Sequence, residues 1–108
     1  MADGMEGLEV VAVTAWFADR IETLVTPLNF ELLAGGHSNL TYLVTDGAGR
    51  SYVLRRPPLG HVLQSAHDMG REHKLISALQ GSSVPVATTV DLCTDHSVND
   101  APFYVMDY

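Results

Sequence analysis

Basic residues and cysteine are scarce in this sequence of 108 residues. It holds 6 Lys and Arg against 13 Asp and Glu, a net charge of −7, which argues against nucleic acid or an anionic membrane as the main partner. The single Cys93 excludes an internal disulfide and lies in an apolar run, where it reads as a small core residue in a reducing compartment. No stretch approaches the roughly 18 apolar residues of a membrane span, and the N-terminus MADGMEGLEVV has acids where a signal peptide needs positive charge. The expected location is cytoplasmic. Repeats and low-complexity segments are absent, and His61, His67, His73 and His96 form no helical i, i+4 pair and have no cysteine partners, so no metal site is expected.

What is present is an ordinary apolar fraction, 46%, enough for one domain with a modest core or for part of one. Residues 1–12 read as a flexible lead-in, small and acidic in their first eight positions. Val13, Trp16, Phe17, Ile21 and Leu24 recur at helical spacing and predict an amphipathic helix from Val13 to Val25, with Thr14 as cap and Pro27 as the stop. Phe30, Leu32 and Ala34 form a short strand entering Gly35 and Gly36, and Leu40 to Thr45 a second. The turn Asp46-Gly47-Ala48-Gly49 returns a third strand from Ser51 to Arg56, which Pro57 and Pro58 stop. A second helix is predicted from Ser65, its cap, to Leu79, with Gly81 as its end. Val84, Pro85 and Val86 lead to a fourth strand, Thr88 to Cys93; a polar loop spans Thr94 to Pro102, with Asp95, Asn99 and Asp100 as turn formers; Phe103 to Tyr108 is a fifth strand. The expected fold class is α+β, a five-stranded antiparallel sheet with an N-terminal helix and a second helix.

The stretch Gly35 to Arg56 organises the rest. A glycine-bearing turn feeding a hairpin whose return strand ends in a fixed cation can hold a phosphate chain between backbone amides and one charged side chain. Strand alternation places Ser51, Val53 and Arg55 on one face and Tyr52, Leu54 and Arg56 on the other. On the second helix, Met69, Leu75, Ile76 and Leu79 share one sector and Glu72 falls near its middle. An unpaired carboxylate there is too costly, so Glu72 requires a cation, and the two arginines are the nearest in sequence. With Arg55 beneath the glycine turn, Glu72 would fix its rotamer and Val53 would roof a base, leaving Arg56 as a solvated or structural cation. The glycine pair taken alone fits a plain hairpin turn better than a phosphate cradle.

The order of a glycine-bearing hairpin, VLRRPP, MGREHKLISAL, VPV and APFYVMDY resembles the N-terminal lobe of the aminoglycoside phosphotransferase family, a branch of the kinase-like fold. LRRPP with SAHDMGRE is similar to the branch related to kinase-like domains found beside acyl-CoA dehydrogenases. The resemblance runs from about Leu24 to Tyr108. It implies a protein-kinase-like N-terminal lobe with a C-type helix and a nucleotide site made by Gly35, Gly36, Ser38 and Asn39 at the phosphate loop. It further implies Arg55 on the α- and β-phosphates, Glu72 paired with it, Val53 over the base, Met106 behind the base pocket, and Asp107 opening the hinge with its carbonyl toward the base amino group. The implied cofactor is ATP or GTP with Mg²⁺, and the implied acceptor a small-molecule hydroxyl.

Phosphoryl transfer requires a base and Mg²⁺ ligands; the resemblance implies that both come from a His-Gly-Asp-type loop and a later aspartate of a C-terminal lobe, and no such loop occurs up to Tyr108. Residues 13–108 are therefore expected to be a nucleotide-binding lobe cut at the hinge, inactive alone, with the Phe103 to Tyr108 strand exposing apolar surface that favours self-association. The alternative is a non-catalytic binding or scaffold module of the same fold.

Overall fold

The computed structural model describes residues 7–35, 39–58, 62–84, 88–99 and 101–108. Helix α1 spans Val10–Arg20, followed by strands β1 (Asn29–Ala34), β2 (Leu40–Thr45) and β3 (Ser51–Arg56), helix α2 (Val62–Ala78), strand β4 (Thr89–Cys93), the one-turn helix α3 (His96–Asn99) and strand β5 (Phe103–Asp107). All strand pairs are antiparallel, in the order β1-β2-β3-β5-β4. The last strand is thus inserted beside β3, with β4 at the edge.

The pleat gives the sheet two unlike faces. Leu40, Tyr42, Val44, Tyr52, Leu54, Phe103 and Val105 join Val13, Trp16 and Phe17 of α1 in one apolar cluster that also holds Cys93. Edge-to-face rings knit it, with Trp16 4.9 Å from Phe103 and Phe17 5.9 Å from Tyr52. Burial of this cluster is the main favourable contribution to the fold. The opposite face carries Val53, Arg55, Tyr104 and Met106 and is crossed by α2 at its β4 end, where the Ser77 and Thr89 hydroxyls lie 3.1 Å apart.

Several expected boundaries move. Helix α1 begins at Val10, so Thr14 lies inside it, and Leu8 is buried at 6% exposure, which shortens the expected 1–12 lead-in. The start is fixed from a distance: buried Asn99 accepts the Glu9 N–H at 2.7 Å and donates to the Gly7 carbonyl at 3.1 Å. Residues 94–102 therefore contain a helical turn and an anchor rather than only a loop. The end comes at Arg20, ahead of Val25, because the β2–β3 turn claims both backbone groups of Val25: its N–H donates to the Asp46 carboxylate and its carbonyl accepts from Gly47 N–H. A helix running through Val25 would have to give these bonds up.

Helix α2 starts at Val62, placing Ser65 within it, and Gly81 follows its end at φ +80°. Leu75 is 61% exposed rather than on the covered stripe, because the helix turns Met69, Glu72 and His73 toward the sheet. Within strand β5 Phe103, Tyr104 and Val105 lie at 0% between two neighbours and Met106 is half-buried; Tyr108 just beyond it is exposed, as are Leu75 and Val84 in the neighbouring segments. Pro85 and Val86 lie outside the described residues. Among the described residues no helix is long and apolar enough to cross a membrane.

Candidate functional site

Two rows of side chains cross the face opposite α1. Register pairs Leu43 with Val53 and Val53 with Met106, an apolar row; one pleat along, Thr41 pairs with Arg55 and Arg55 with Tyr104, a polar row. Residues paired across antiparallel strands share a face, so both rows look toward α2. The tandem arginines separate as alternation requires. Arg56 faces the other way, is 4% exposed, and donates to the Pro57 carbonyl at 2.8 Å and the Gly7 carbonyl at 3.0 Å. It is a structural cation, tying the N-terminal segment to β3.

Glu72 descends from α2 onto the polar row. Its Oε1 takes the Arg55 guanidinium at 3.1 Å and the Tyr104 hydroxyl at 2.9 Å, while Oε2 accepts the Asn39 amide at 2.8 Å. Three donors from the β1–β2 connection, β3 and β5 thus converge on one carboxylate. The Arg55 and Glu72 side chains remain 30% and 31% exposed, so the pair faces solvent while Tyr104 beside it is fully buried. Burial first, and then the hydrogen bond and charge of Glu72, push the Tyr104 hydroxyl up to about 12. It is therefore a hydrogen-bond donor at neutral pH.

The chain's own geometry suits a nucleotide phosphate. The Arg55 side chain is about one-third exposed on the face that α2 crosses, and its Nε is buried without an acceptor among the described residues. At the end of β1, Gly35 packs against Leu40: an added Cβ would lie 2.7 Å from a Leu40 methyl group, which would have to move aside. The apolar row Leu43, Val53 and Met106 lies alongside, with Val53 at 8% exposure and Met106 half-buried. Asp107, exposed at the end of β5, uses its N–H on the Thr88 carbonyl at 2.8 Å.

Of the residues singled out from sequence, the structure joins Arg55, Glu72 and Asn39 directly and sets Val53 beside Met106. The Asn39 side-chain amide donates to Glu72 at 2.8 Å. Gly36, His37, Ser38, His61 and Asp100 lie outside the described residues, as do the side chains of His67 and His96. No group of three or more His, Cys, Asp or Glu that could hold a metal ion occurs among the described residues. Leu43 and Tyr104 were not picked out by sequence reasoning. Alternation with Met106 signalled the face of Tyr104, but its neighbour Arg55 followed only from the insertion of β5 next to β3.

Cys93 belongs to the other face. It is 4% exposed, burial pushes its thiol up, and its sulfur points to the Asp95 carbonyl at 3.6 Å, which fits a core residue rather than a nucleophile.

Comparison with known proteins agrees with this geometry. The profile of the phosphotransferase enzyme family matches residues 29–108. The chain is 47% identical over 73 residues to mouse acyl-CoA dehydrogenase family member 10, covering 68% of this chain and 7% of that protein. It is 39% identical over 104 residues to a protein of Arabidopsis thaliana described as the acyl-CoA dehydrogenase IBR3, covering 90% of this chain and 13% of that protein. A crystal structure from Ralstonia eutropha, described as an aminoglycoside phosphotransferase, superposes with a TM-score of 0.76 at 32% identity, over 94% of this chain and 28% of that one. The chain thus spans a small part of the length of each of these relatives.

Proposed function

The chain belongs to the phosphotransferase enzyme family, and from that premise we propose that it is the nucleotide-holding lobe of an ATP-dependent phosphotransferase, one that moves the γ-phosphoryl group of ATP or GTP to a hydroxyl of a small molecule. Its α+β architecture, with five antiparallel strands and a helix bearing Glu72, is that of a kinase-like N-terminal lobe. The observation that carries the reading is the Arg55–Glu72 pair on the open face, 3.1 Å apart. A cation held by an acid from the neighbouring helix is what phosphate binding asks of this lobe.

In this reading Arg55 binds phosphate oxygens and Glu72 keeps its guanidinium in place; an arginine retains its charge here and offers a planar fork where a lysine offers a point charge. Gly35, Gly36 and Ser38 would let backbone amides approach the phosphates. Leu43, Val53 and Met106 would pack against the base, and the Asp107 carbonyl would accept from its amino group. Bound ATP with Mg²⁺ would supply the γ-phosphoryl group. The acceptor hydroxyl and the base that orients it are assigned to residues outside these 108, so turnover by this chain alone is not expected. An aminoglycoside-like acceptor follows the name of the Ralstonia eutropha protein, and a hydroxyacyl acceptor follows the resemblance to kinase-like domains found beside acyl-CoA dehydrogenases. A cytoplasmic setting, where nucleoside triphosphate is abundant, fits.

The test is calorimetric titration of the chain with MgATP and MgGTP. Arg55→Ala should weaken binding about 10- to 100-fold, the scale of a lost hydrogen bond to a charged group. Equal affinity in the wild type and this variant would remove Arg55 from the site, and appreciable turnover by the 108 residues would overturn the division of labour.

A further inference from the structure

We propose that Tyr104 is a positioning residue of this site: its buried hydroxyl fixes the Glu72 carboxylate that presents Arg55, and Asn39 fixes the other oxygen of the same carboxylate. The inference rests on the nucleotide reading above and deepens it.

The ion pair cannot hold its own geometry. Both partners are about one-third exposed, and pairs of that kind are weak because water competes and two long side chains must be ordered. Arg55 gains no help from Nε, which finds no acceptor among the described residues. The guanidinium therefore depends on where Glu72 and the Tyr104 hydroxyl beside it are, and Glu72 depends on its other donors. Tyr104 is the rigid one. Its ring is fully buried, directly opposite Arg55 in the β3–β5 register, and its hydroxyl reaches Oε1 at 2.9 Å, the oxygen that Arg55 also uses. Phenylalanine would bury the same carbon surface, so packing alone does not call for the hydroxyl. The phenol is protonated at neutral pH, as any tyrosine is, and is thus a donor to Glu72.

Asn39 adds a second function. It lies at the start of β2, directly after the glycine-bearing connection, and its amide reaches Oε2 at 2.8 Å across 33 residues of sequence. The end of the loop and the cation opposite it are thereby referenced to one carboxylate. Such shared support is what lets a binding constellation stay in register.

The experiment compares wild type, Tyr104→Phe, Asn39→Ala, Glu72→Gln and the double variant Tyr104→Phe/Glu72→Gln by MgATP calorimetry and by the ¹⁵N-resolved Arg55 Nε–Hε resonance. Tyr104→Phe should weaken MgATP binding about 5- to 10-fold, and shift or exchange-broaden the Arg55 resonance in the nucleotide-free chain. Added to Glu72→Gln, it should cost clearly less than it does alone, because most of its effect passes through the one carboxylate. A merely structural tyrosine would lower the melting temperature without moving the Arg55 resonance and would add independently, and that result overturns the inference. If Tyr104→Phe fails to fold, Asn39→Ala carries the same two readouts on Oε2, and an unmoved resonance there overturns it equally. Wild type failing to bind MgATP overturns the nucleotide reading; wild-type binding that Tyr104→Phe leaves unchanged overturns this inference alone.

Discussion

Tyr104 and Asp46 are both ionisable side chains taken out of water, and their surroundings push them in opposite directions. Tyr104 is raised from 10.0 to about 12, chiefly by burial and then by Glu72. Its folded pKa exceeds its unfolded one, so its contribution is complete below pH 10 and is lost as the pH rises from about 10 toward 12. Burial opposes charge on Asp46 as well, but N–H groups of Arg50, Val25 and Ala48 outweigh it and hold the carboxyl below its ordinary 3.8. That contribution is present above pH 3.8 and is lost as the pH falls through the lower, folded value. Denaturant unfolding across pH should therefore show a plateau with both flanks falling. Tyr104→Phe should flatten the alkaline flank and Asp46→Asn the acid one; flanks unaltered by these changes would mean that other groups set them.

The β2–β3 hairpin shows how an element uses one residue type for two purposes. Gly49 has φ +87° and open space around it, so its need is conformational. At Gly47 the restriction is steric, since an added Cβ would sit 2.8 Å from the Thr26 carbonyl oxygen and 2.9 Å from a Val25 methyl carbon. Gly49→Ala should cost about 1–2 kcal/mol by backbone strain. Gly47→Ala should cost about 1–3 kcal/mol by overpacking and should also loosen the contact with Val25. Urea denaturation of the two variants checks this, and a neutral Gly47→Ala would mean that the turn can back away from Val25. The sequence Asp46-Gly47-Ala48-Gly49 made the turn and the limits of β2 and β3 legible, because local turn chemistry sets them. Nothing local announced that the turn would dock on Val25. That contact, made across about twenty residues of chain, stops α1 at Arg20.

At the scale of the whole molecule, the main apolar cluster and the proposed nucleotide site lie on opposite faces of one sheet. Phe17 lies at 0% exposure in the α1 cluster, and Phe17→Ala should cost about 3–5 kcal/mol, a large share of the roughly 5–15 kcal/mol that holds a domain together. Arg55 is about one-third exposed on the other face, and Arg55→Ala should change stability by less than about 1 kcal/mol while affecting nucleotide binding strongly. Thermal melts of the two variants beside calorimetry should separate these effects; a severe melting loss in Arg55→Ala would show that the two faces are energetically joined. By itself the sequence determined the α+β class, the five strands, the opposite facing of Arg55 and Arg56, and the need of Glu72 for a cation. Periodicity and the cost of an unpaired carboxylate are properties of short stretches. The tertiary structure alone decided that β5 enters between β3 and β4, and with that insertion came the fully buried Tyr104 opposite Arg55. Strand order is set by which faces can be buried together, a choice made by the whole chain and encoded in no single segment of it.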